Sequence, residues 1–324
     1  ASAQSTEVDE LIVTATRRDA TVQDVPINIA AVGGMEIRKQ GLNDLSELAN
    51  FIPGVHLVDQ GGRTSDRIIV RGLNVDALAQ TDTLGNNAGG TVSTYLGEIP
   101  IYIDLKLNDM ERVEFLLGPQ GTLYGAGTMG GAIRYIPNRP QFDEALFEVR
   151  SDIYQYSEAD DLSTDLGVTF NFPISDTFAV RGSFDRLSDS GFVDYDFVVR
   201  QPGITNPDIV TRGTPGYDLL QYPDANDENT VSGRLAFRWQ PNDRFDANLT
   251  YYYQDMESGA RTISAHRGTI PVDRYVSTLR YLEPNERENQ LLALEMTADL
   301  GFADGLRPDI ARLAAELGER AAAC

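Results

Sequence analysis

After Pro140 the sequence settles into long segments that alternate apolar and polar residues with period two, the mark of strands with one greasy and one wet face. In the first, Ala145, Phe147, Val149, Ser151 and Ile153 fall opposite Glu148, Arg150 and Asp152. The second sets Leu162, Leu166, Val168, Phe170 and Phe172 against Ser163, Asp165, Thr169 and Asn171, and the third sets Phe178, Val180 and Phe184 against Arg181, Ser183 and Asp185. Val231, Leu235, Phe237 and Trp239 oppose Ser232, Arg234 and Arg238 in the fourth, and Phe245, Leu249, Tyr251 and Tyr253 oppose Asp246, Asn248, Thr250 and Gln254 in the fifth. A sixth runs through Leu292, Leu294, Met296 and Ala298. Segments of ~10 to 12 residues exceed the ~5 to 6 usual in globular strands and match the ~9 to 11 that cross a bilayer at a tilt.

The links sort by length in the same sense. Short turns at Pro173–Asp176 and Pro241–Arg244 fall on one side of such a sheet, while long links rich in Asp, Gly, Pro and Tyr, about 187–229 and 256–287, fall on the other. Transmembrane barrels have this asymmetry, short turns inside and long loops outside. Aromatic residues near strand ends, Phe172, Trp239, Tyr251 and Tyr253, suit an interfacial girdle. The alternative is a soluble β-sandwich, a secreted binding or adhesion module, whose apolar stripes face a second sheet.

Composition narrows the function classes. No apolar run approaches the ~18 residues of a transmembrane helix. Lys plus Arg number 27 against 49 Asp plus Glu, a net charge of -22, which repels phosphate backbones and argues against nucleic acid as a partner. One cysteine, Cys324, precludes an intrachain disulfide, and two distant histidines, His56 and His266, offer neither a metal site nor an acid–base repertoire. Gly125–Gly130 matches the G-x-G-x-x-G dinucleotide pattern formally, but it lacks the strand before and the helix after that the pattern needs, so its glycines mark tight turns and close backbone approach. The acidic loop Asp224, Asn226, Asp227 and Glu228 lacks the glycine and terminal glutamate of a calcium-binding EF-hand loop. No catalytic set and no cofactor is expected.

The first 140 residues have a different texture. Residues 1–24 form a polar arm with one apolar island, Leu11, Ile12, Val13, Thr14 and Ala15, and Ala1-Ser2-Ala3 fits the small-residue pattern at an export cleavage site. Residues 25–140 mix short β-branched runs with one helical pattern, Leu42, Leu45, Leu48 and Ala49, stopped by Pro53-Gly54, and predict an α+β domain.

Within that domain several segments occur in a specific order: Val25-Pro26-Ile27-Asn28-Ile29, Asp44–Leu48 with Ile52-Pro53-Gly54-Val55, Ile69-Val70-Arg71-Gly72 and Glu111-Arg112-Val113-Glu114. Gly118-Pro119-Gln120-Gly121-Thr122-Leu123-Tyr124-Gly125 and Gly130-Gly131-Ala132-Ile133 complete the set. Together they resemble the plug domain of TonB-dependent outer-membrane receptors. The resemblance implies an α+β plug followed by antiparallel transmembrane β-barrel strands, set in outer-membrane lipid and taking up a scarce ligand, a ferric siderophore foremost, without bond chemistry. It implies that Leu11–Ala15 is a TonB box that adds a strand to the TonB protein. Ligand would meet apical loops at Arg63, Asn74, Asn87 and Tyr102, with Arg63 as anion partner and Tyr102 as stacking face. Arg71, Glu111 and Glu114 would latch plug to barrel. The family's second arginine, before Gly-Pro, is here Leu117.

Two departures accompany the resemblance. A barrel that surrounds such a plug has roughly 22 strands, and residues 141–302 hold about six, so an incomplete barrel is expected, and a truncated gene product with it. Residues 303–324 read as an atypical tail, with a short amphipathic helix through Ile310, Leu313, Ala314 and Leu317 after Pro308.

Overall fold

A computed structural model describes residues 12–13, 20–21, 27–58, 67–73, 91–101, 105–125, 127–204, 219–264, 273–299, 313–316 and 320–321. The chain divides into two compact units, residues 1–58 with 65–138, and residues 59–64 with 139–324.

In the N-terminal unit β1 (Ile12–Val13) pairs with β2 (Ala20–Thr21), and β3 (Ile29–Gly33), α1 (Gly34–Gln40) and α2 (Leu45–Ala49) follow. Next come β4 (Val55–Val58), β5 (Arg67–Val70), β6 (Val92–Leu96), β7 (Ile99–Ile101), β8 (Met110–Leu117), α3 (Gly121–Tyr124) and β9 (Gly131–Pro137). Five strands make the central sheet in the order β3-β8-β9-β6-β7, in which only β6 and β9 run parallel. β8 and β9 lie inside it and read as near-continuous apolar runs because both faces are covered: Val113, Phe115, Leu116, Ile133 and Tyr135 are all buried. At Gly131 the backbones approach so closely that a Cβ would collide with the carbonyl oxygen of Leu116, so this glycine of the G-x-G-x-x-G neighbourhood serves packing.

The expected helix is α2, and its start is dictated locally. Asp44 accepts the Glu47 N–H at 3.0 Å while the Glu47 carboxylate accepts the Asn43 N–H at 2.7 Å, a reciprocal cap that leaves Leu42 outside the helix. Leu45, Leu48 and Ala49 bury its apolar side. α1 and α3 are too short to announce themselves by periodicity; α1 ends at Gly41, whose φ of 65° only glycine adopts without strain.

The C-terminal unit comprises β10 (Leu146–Tyr154), β11 (Ser163–Ser175), β12 (Phe178–Asp189), β13 (Asp194–Val199), β14 (Leu219–Tyr222) and β15 (Glu228–Asn242). It continues with β16 (Phe245–Ser258), β17 (Val276–Ser277), β18 (Asn285–Ala298), β19 (Leu313–Glu316) and β20 (Arg320–Ala321). The large sheet is antiparallel throughout, ordered β10-β11-β12-β15-β16-β18-β19 with β20 also on β18.

Its faces are inverted relative to a soluble protein. Phe147, Val149 and Ile153 are about two-thirds exposed, and Leu166, Phe172, Phe184, Trp239 and Leu249 are exposed with them. On the opposite face Ser163, Asp165, Asn171, Arg181, Asp185, Glu228, Arg234 and Gln254 are buried. A β-sandwich would bury the first set and wet the second, so the sandwich alternative is overturned. A surface of this kind has water as its wrong solvent and lipid as its right one.

The turns tighten beyond expectation. β11 and β12 are joined by Asp176-Thr177 alone, and β15 and β16 by Asp243-Arg244, because bulges at Pro173/Ser175 and Trp239/Asn242 keep the flanking residues in the strands. At this end Phe172, Phe178, Phe237, Trp239 and Phe245 form an aromatic band, with the Trp239 and Phe245 rings 5.5 Å apart. Tyr251 and Tyr253 do not join it: the register sets them in mid-strand, opposite Leu235 and Gly233.

The long links meet at the other end. β14, β13 and β17 form a separate small sheet, β13 and β17 parallel, over a core of Val193, Tyr195, Val198 and Ala260. Buried Asn226 knits the two links, its Oδ1 accepting from Phe192 N (2.7 Å) and Val193 N (2.8 Å) while its Nδ2 donates to Thr262 Oγ1 (3.0 Å). The helix expected in the tail is absent from the described part, where Leu313–Glu316 and Arg320–Ala321 pair with β18 instead. A one- or two-turn helix is marginal in water, whereas the edge of β18 offers a row of backbone groups to pair with.

The inverted faces give a direct prediction. Phe184→Arg, on the exposed apolar face in mid-strand, lowers stability in phospholipid vesicles by about 2 to 4 kcal/mol, read by urea titration. An unchanged midpoint would show that this face does not meet lipid.

Candidate functional site

The N-terminal island is paired. Ile12 lies opposite Thr21 and Val13 opposite Ala20, and the Val13 side chain is fully buried, so these two residues are not the free arm the sequence suggested. A β-strand has two edges, and β1 uses one of them for β2. Leu11, Thr14 and Ala15 lie outside the described residues, as do all four apical positions, Arg63, Asn74, Asn87 and Tyr102.

Arg71 follows β5 in a left-handed conformation, φ 52°, unusual for a residue with a Cβ, and its N–H donates to Gly54 O at 2.7 Å. Its side chain is exposed. Among the described residues no ion pair joins it to Glu111 or Glu114.

Glu114 is corrected from a latch to a core residue. It is completely buried in β8, where Oε2 accepts from Arg134 Nη1 at 2.6 Å and Oε1 from Arg112 Nε at 2.8 Å. Arg134, itself 2% exposed, reaches on to Glu98 Oε1 at 2.6 Å and to Gly97 O at 3.2 Å, and its guanidinium lies 5.8 Å from the Tyr124 ring. Glu111 is half exposed and pairs with Arg112. The network ties β8, β9 and the β6–β7 turn together. It was missed by motif reading, although the signal was present: Arg134 is the single charge of β9 and Glu114 stands between the apolar Val113 and Phe115, and such charges stay buried only when paired.

Residues 21–132 match the family model described as TonB-dependent Receptor Plug Domain. Strands with inverted faces follow directly. The matched stretch takes in most of the N-terminal unit, which is therefore similar to such a plug.

Over 262 residues the chain is 24% identical to the ferrichrome outer membrane transporter/phage receptor of Escherichia coli K12, covering 79% of this chain and 29% of that protein. It is 30% identical over 139 residues to the vitamin B12 transporter BtuB of Vibrio vulnificus, covering 42% of this chain and 22% of that one. In fold it resembles the ferric yersiniabactin uptake receptor FyuA of Yersinia pestis, with a TM-score of 0.61 at 17% identity over 85% of this chain and 39% of the other. The chain thus spans under a third of the length of these curated relatives, which are receptors and transporters rather than enzymes.

At the long-loop end of the barrel strands a cavity of about 980 Å³ is lined by Asp160, Asp161, Asp189, Asp224, Asp227 and Tyr222 among others, and, among the described residues, by no Lys or Arg. Much of this carboxylate is engaged in holding loops. Asp189 Oδ2 accepts from the Tyr154 and Tyr156 hydroxyls (3.1 and 2.7 Å), and Asp224 Oδ2 accepts from Asp160 N (2.8 Å). Desolvation, followed by the nearby charges of Asp194, Asp160 and Asp161, raises the Asp224 carboxyl above its ordinary 3.8.

Two outcomes follow. Glu114→Ala leaves Arg112 and Arg134 buried without their shared carboxylate and lowers plug stability by about 3 to 5 kcal/mol in denaturant titration; a Glu114→Met, Arg134→Met pair recovers part of that loss. For Asp224 the raised pKa means that folding favours its neutral form, so the charge destabilises the loops above its folded pKa and costs nothing below pH 3.8. Asp224→Asn, which keeps an oxygen for Asp160 N, therefore raises the thermal midpoint at pH 7 and has no such effect at pH 3. A gain of equal size at both would assign the effect to something other than charge.

Proposed function

We propose that this chain is the plug and early barrel of an outer-membrane receptor that binds a scarce ligand outside the cell and imports it by TonB-driven movement of the plug. The observation that carries this is the combination of a plug-domain sheet with strands whose apolar face is outward. A membrane wall and a plug-type domain in one chain have a transport role as their simplest joint purpose. The ligand class we infer is a ferric siderophore, supported by the ferrichrome and ferric yersiniabactin relatives. The vitamin B12 relative marks cobalamin as the second class to assay.

In this reading Leu11, Ile12, Val13, Thr14 and Ala15 contact TonB by strand addition, Arg63, Asn74, Asn87 and Tyr102 contact ligand, and Arg71 with Glu111 serves the latch. Main-chain hydrogen bonds carry the TonB contact, so removal of one N–H matters more than the loss of a side chain. Ile12→Pro, in the intact receptor, abolishes energised uptake of a radiolabelled ferric siderophore while equilibrium binding of the same compound persists. Uptake at the parent rate would refute the TonB-box assignment, and absence of binding to either ferric siderophore or cobalamin would refute the ligand class.

A further inference from the structure

Between Asn138 and Glu144 the chain is held by a series of hydrogen bonds and ion pairs. At the plug's last residue, Asn138 N donates to Asp109 O at 3.1 Å and Asn138 Nδ2 to Asp109 Oδ1 at 2.9 Å. The next residue is already gripped by the barrel strands. Arg139 Nη2 lies 2.6 Å from Glu295 Oε2 on β18, and its Nη1 lies 3.8 Å from Asp246 Oδ2 on β16. Asp246 is in turn bound by Arg238 of β15 at 2.8 Å, and Arg238 Nη1 donates to Pro140 O at 3.3 Å while its guanidinium sits 4.8 Å from the Phe142 ring centroid. Asn171 of β11, 1% exposed, then takes the main chain from both sides: Oδ1 accepts from Gln141 N (2.9 Å), and Nδ2 donates to Gln141 O (3.0 Å) and Glu144 O (2.5 Å).

In order along the chain, the segment is fastened to β18, β16, β15 and β11, and it then becomes β10. That follows the order of strands across the sheet, with β12 passed over. Arg238, Asp246 and Asn171 belong to the polar alternation of their strands, at the short-turn end. The first two of these contacts are made by the long Arg139 side chain, and the later ones hold the main chain itself. Proline at 140 has no N–H to satisfy and stiffens the path.

We propose that residues 139–144 are a fixed strap across the short-turn end of the barrel wall, with Arg139, Asn171 and Arg238 as positioning residues for the plug's movement. The strap holds residues 139–144 against the barrel strands, so a pull that reaches the chain from the N-terminal arm meets a fixed point at Arg139. The pull rests on the function proposed above; the strap does not.

Cleavage by a glutamate-specific protease after Glu144, whose carbonyl Asn171 holds, reports opening of the strap. In the intact receptor in non-energised native outer membranes, Asn171→Ala and Arg139→Gln each raise cleavage after Glu144 about tenfold, in line with the loss of one or more buried or charge-assisted hydrogen bonds. Cleavage after Glu257 and Glu286 in the barrel strands stays unchanged, and Arg139→Lys restores the parent rate. Parent-like cleavage in both variants would overturn the strap, as would equal acceleration at all three sites in both, since the effect would then be general unfolding. On energisation with ligand, cleavage after Glu47 in the plug rises while Glu144 stays protected. A rise at Glu144 as well would overturn the strap's fixity, whereas no rise at either, with the variant effects intact, would sustain the strap and refute energised plug movement.

Discussion

Backbone pairing between long antiparallel strands is the constraint on which everything else in the C-terminal unit depends. Where the outward face is apolar and its solvent is hydrocarbon, no water is at hand for a stray N–H or carbonyl, so each strand must lie against a neighbour along its length. β12 with β15 and β16 with β18 do so without interruption, and the bulges in β11 and β15 come only at the short-turn end. Side-chain chemistry follows from this. With the apolar residues committed outward, the polar ones are left to satisfy one another, as in the pairing of Arg150 with Asp165 and Asp185 at 3.0 and 2.9 Å.

The plug solves a different problem with similar means. Its central strands are too apolar to need a charge, yet they carry Glu114 and Arg134 at their centre, bound to each other and to Arg112 and Glu98. A buried ion network of this kind adds little over an apolar core in net stability, but half of one is costly. It couples three stretches of chain that are distant in sequence.

The long loops combine preorganisation with a charge conflict. Asn226, Tyr195 and the small mixed sheet hold two links in a single arrangement, while Asp224 and its acidic neighbours repel one another beside a cavity. Their carboxylates accept N–H and O–H bonds from the loops, so structure and electrostatics draw on the same groups.

The barrel strands were legible because period two is a local property: Phe147, Val149 and Ile153 state their common face in nine residues, and the loop lengths state which end is which. The plug was legible through motifs such as Asp44-x-x-Glu47 and the glycines at 130–131, each fixed by a local cap or a close backbone approach. Tertiary structure alone decided the partners. Glu114 was read as a latch, yet it belongs to the plug core, since nothing in Val113-Glu114-Phe115 says that Arg134 and Arg112 converge on it. Asn171 counted only as one more polar residue of an alternating strand, until the chain at 141–144 crossed beside it. Tail residues 313–316 had helical spacing, but a free strand edge outcompeted a helix too short to stand alone. Sequence determined which face each strand shows and what solvent that face requires, because hydrophobic patterning is read residue by residue. Which charges meet, and where the chain is held, depended on contacts between segments far apart in sequence, and those exist only once the sheets have formed.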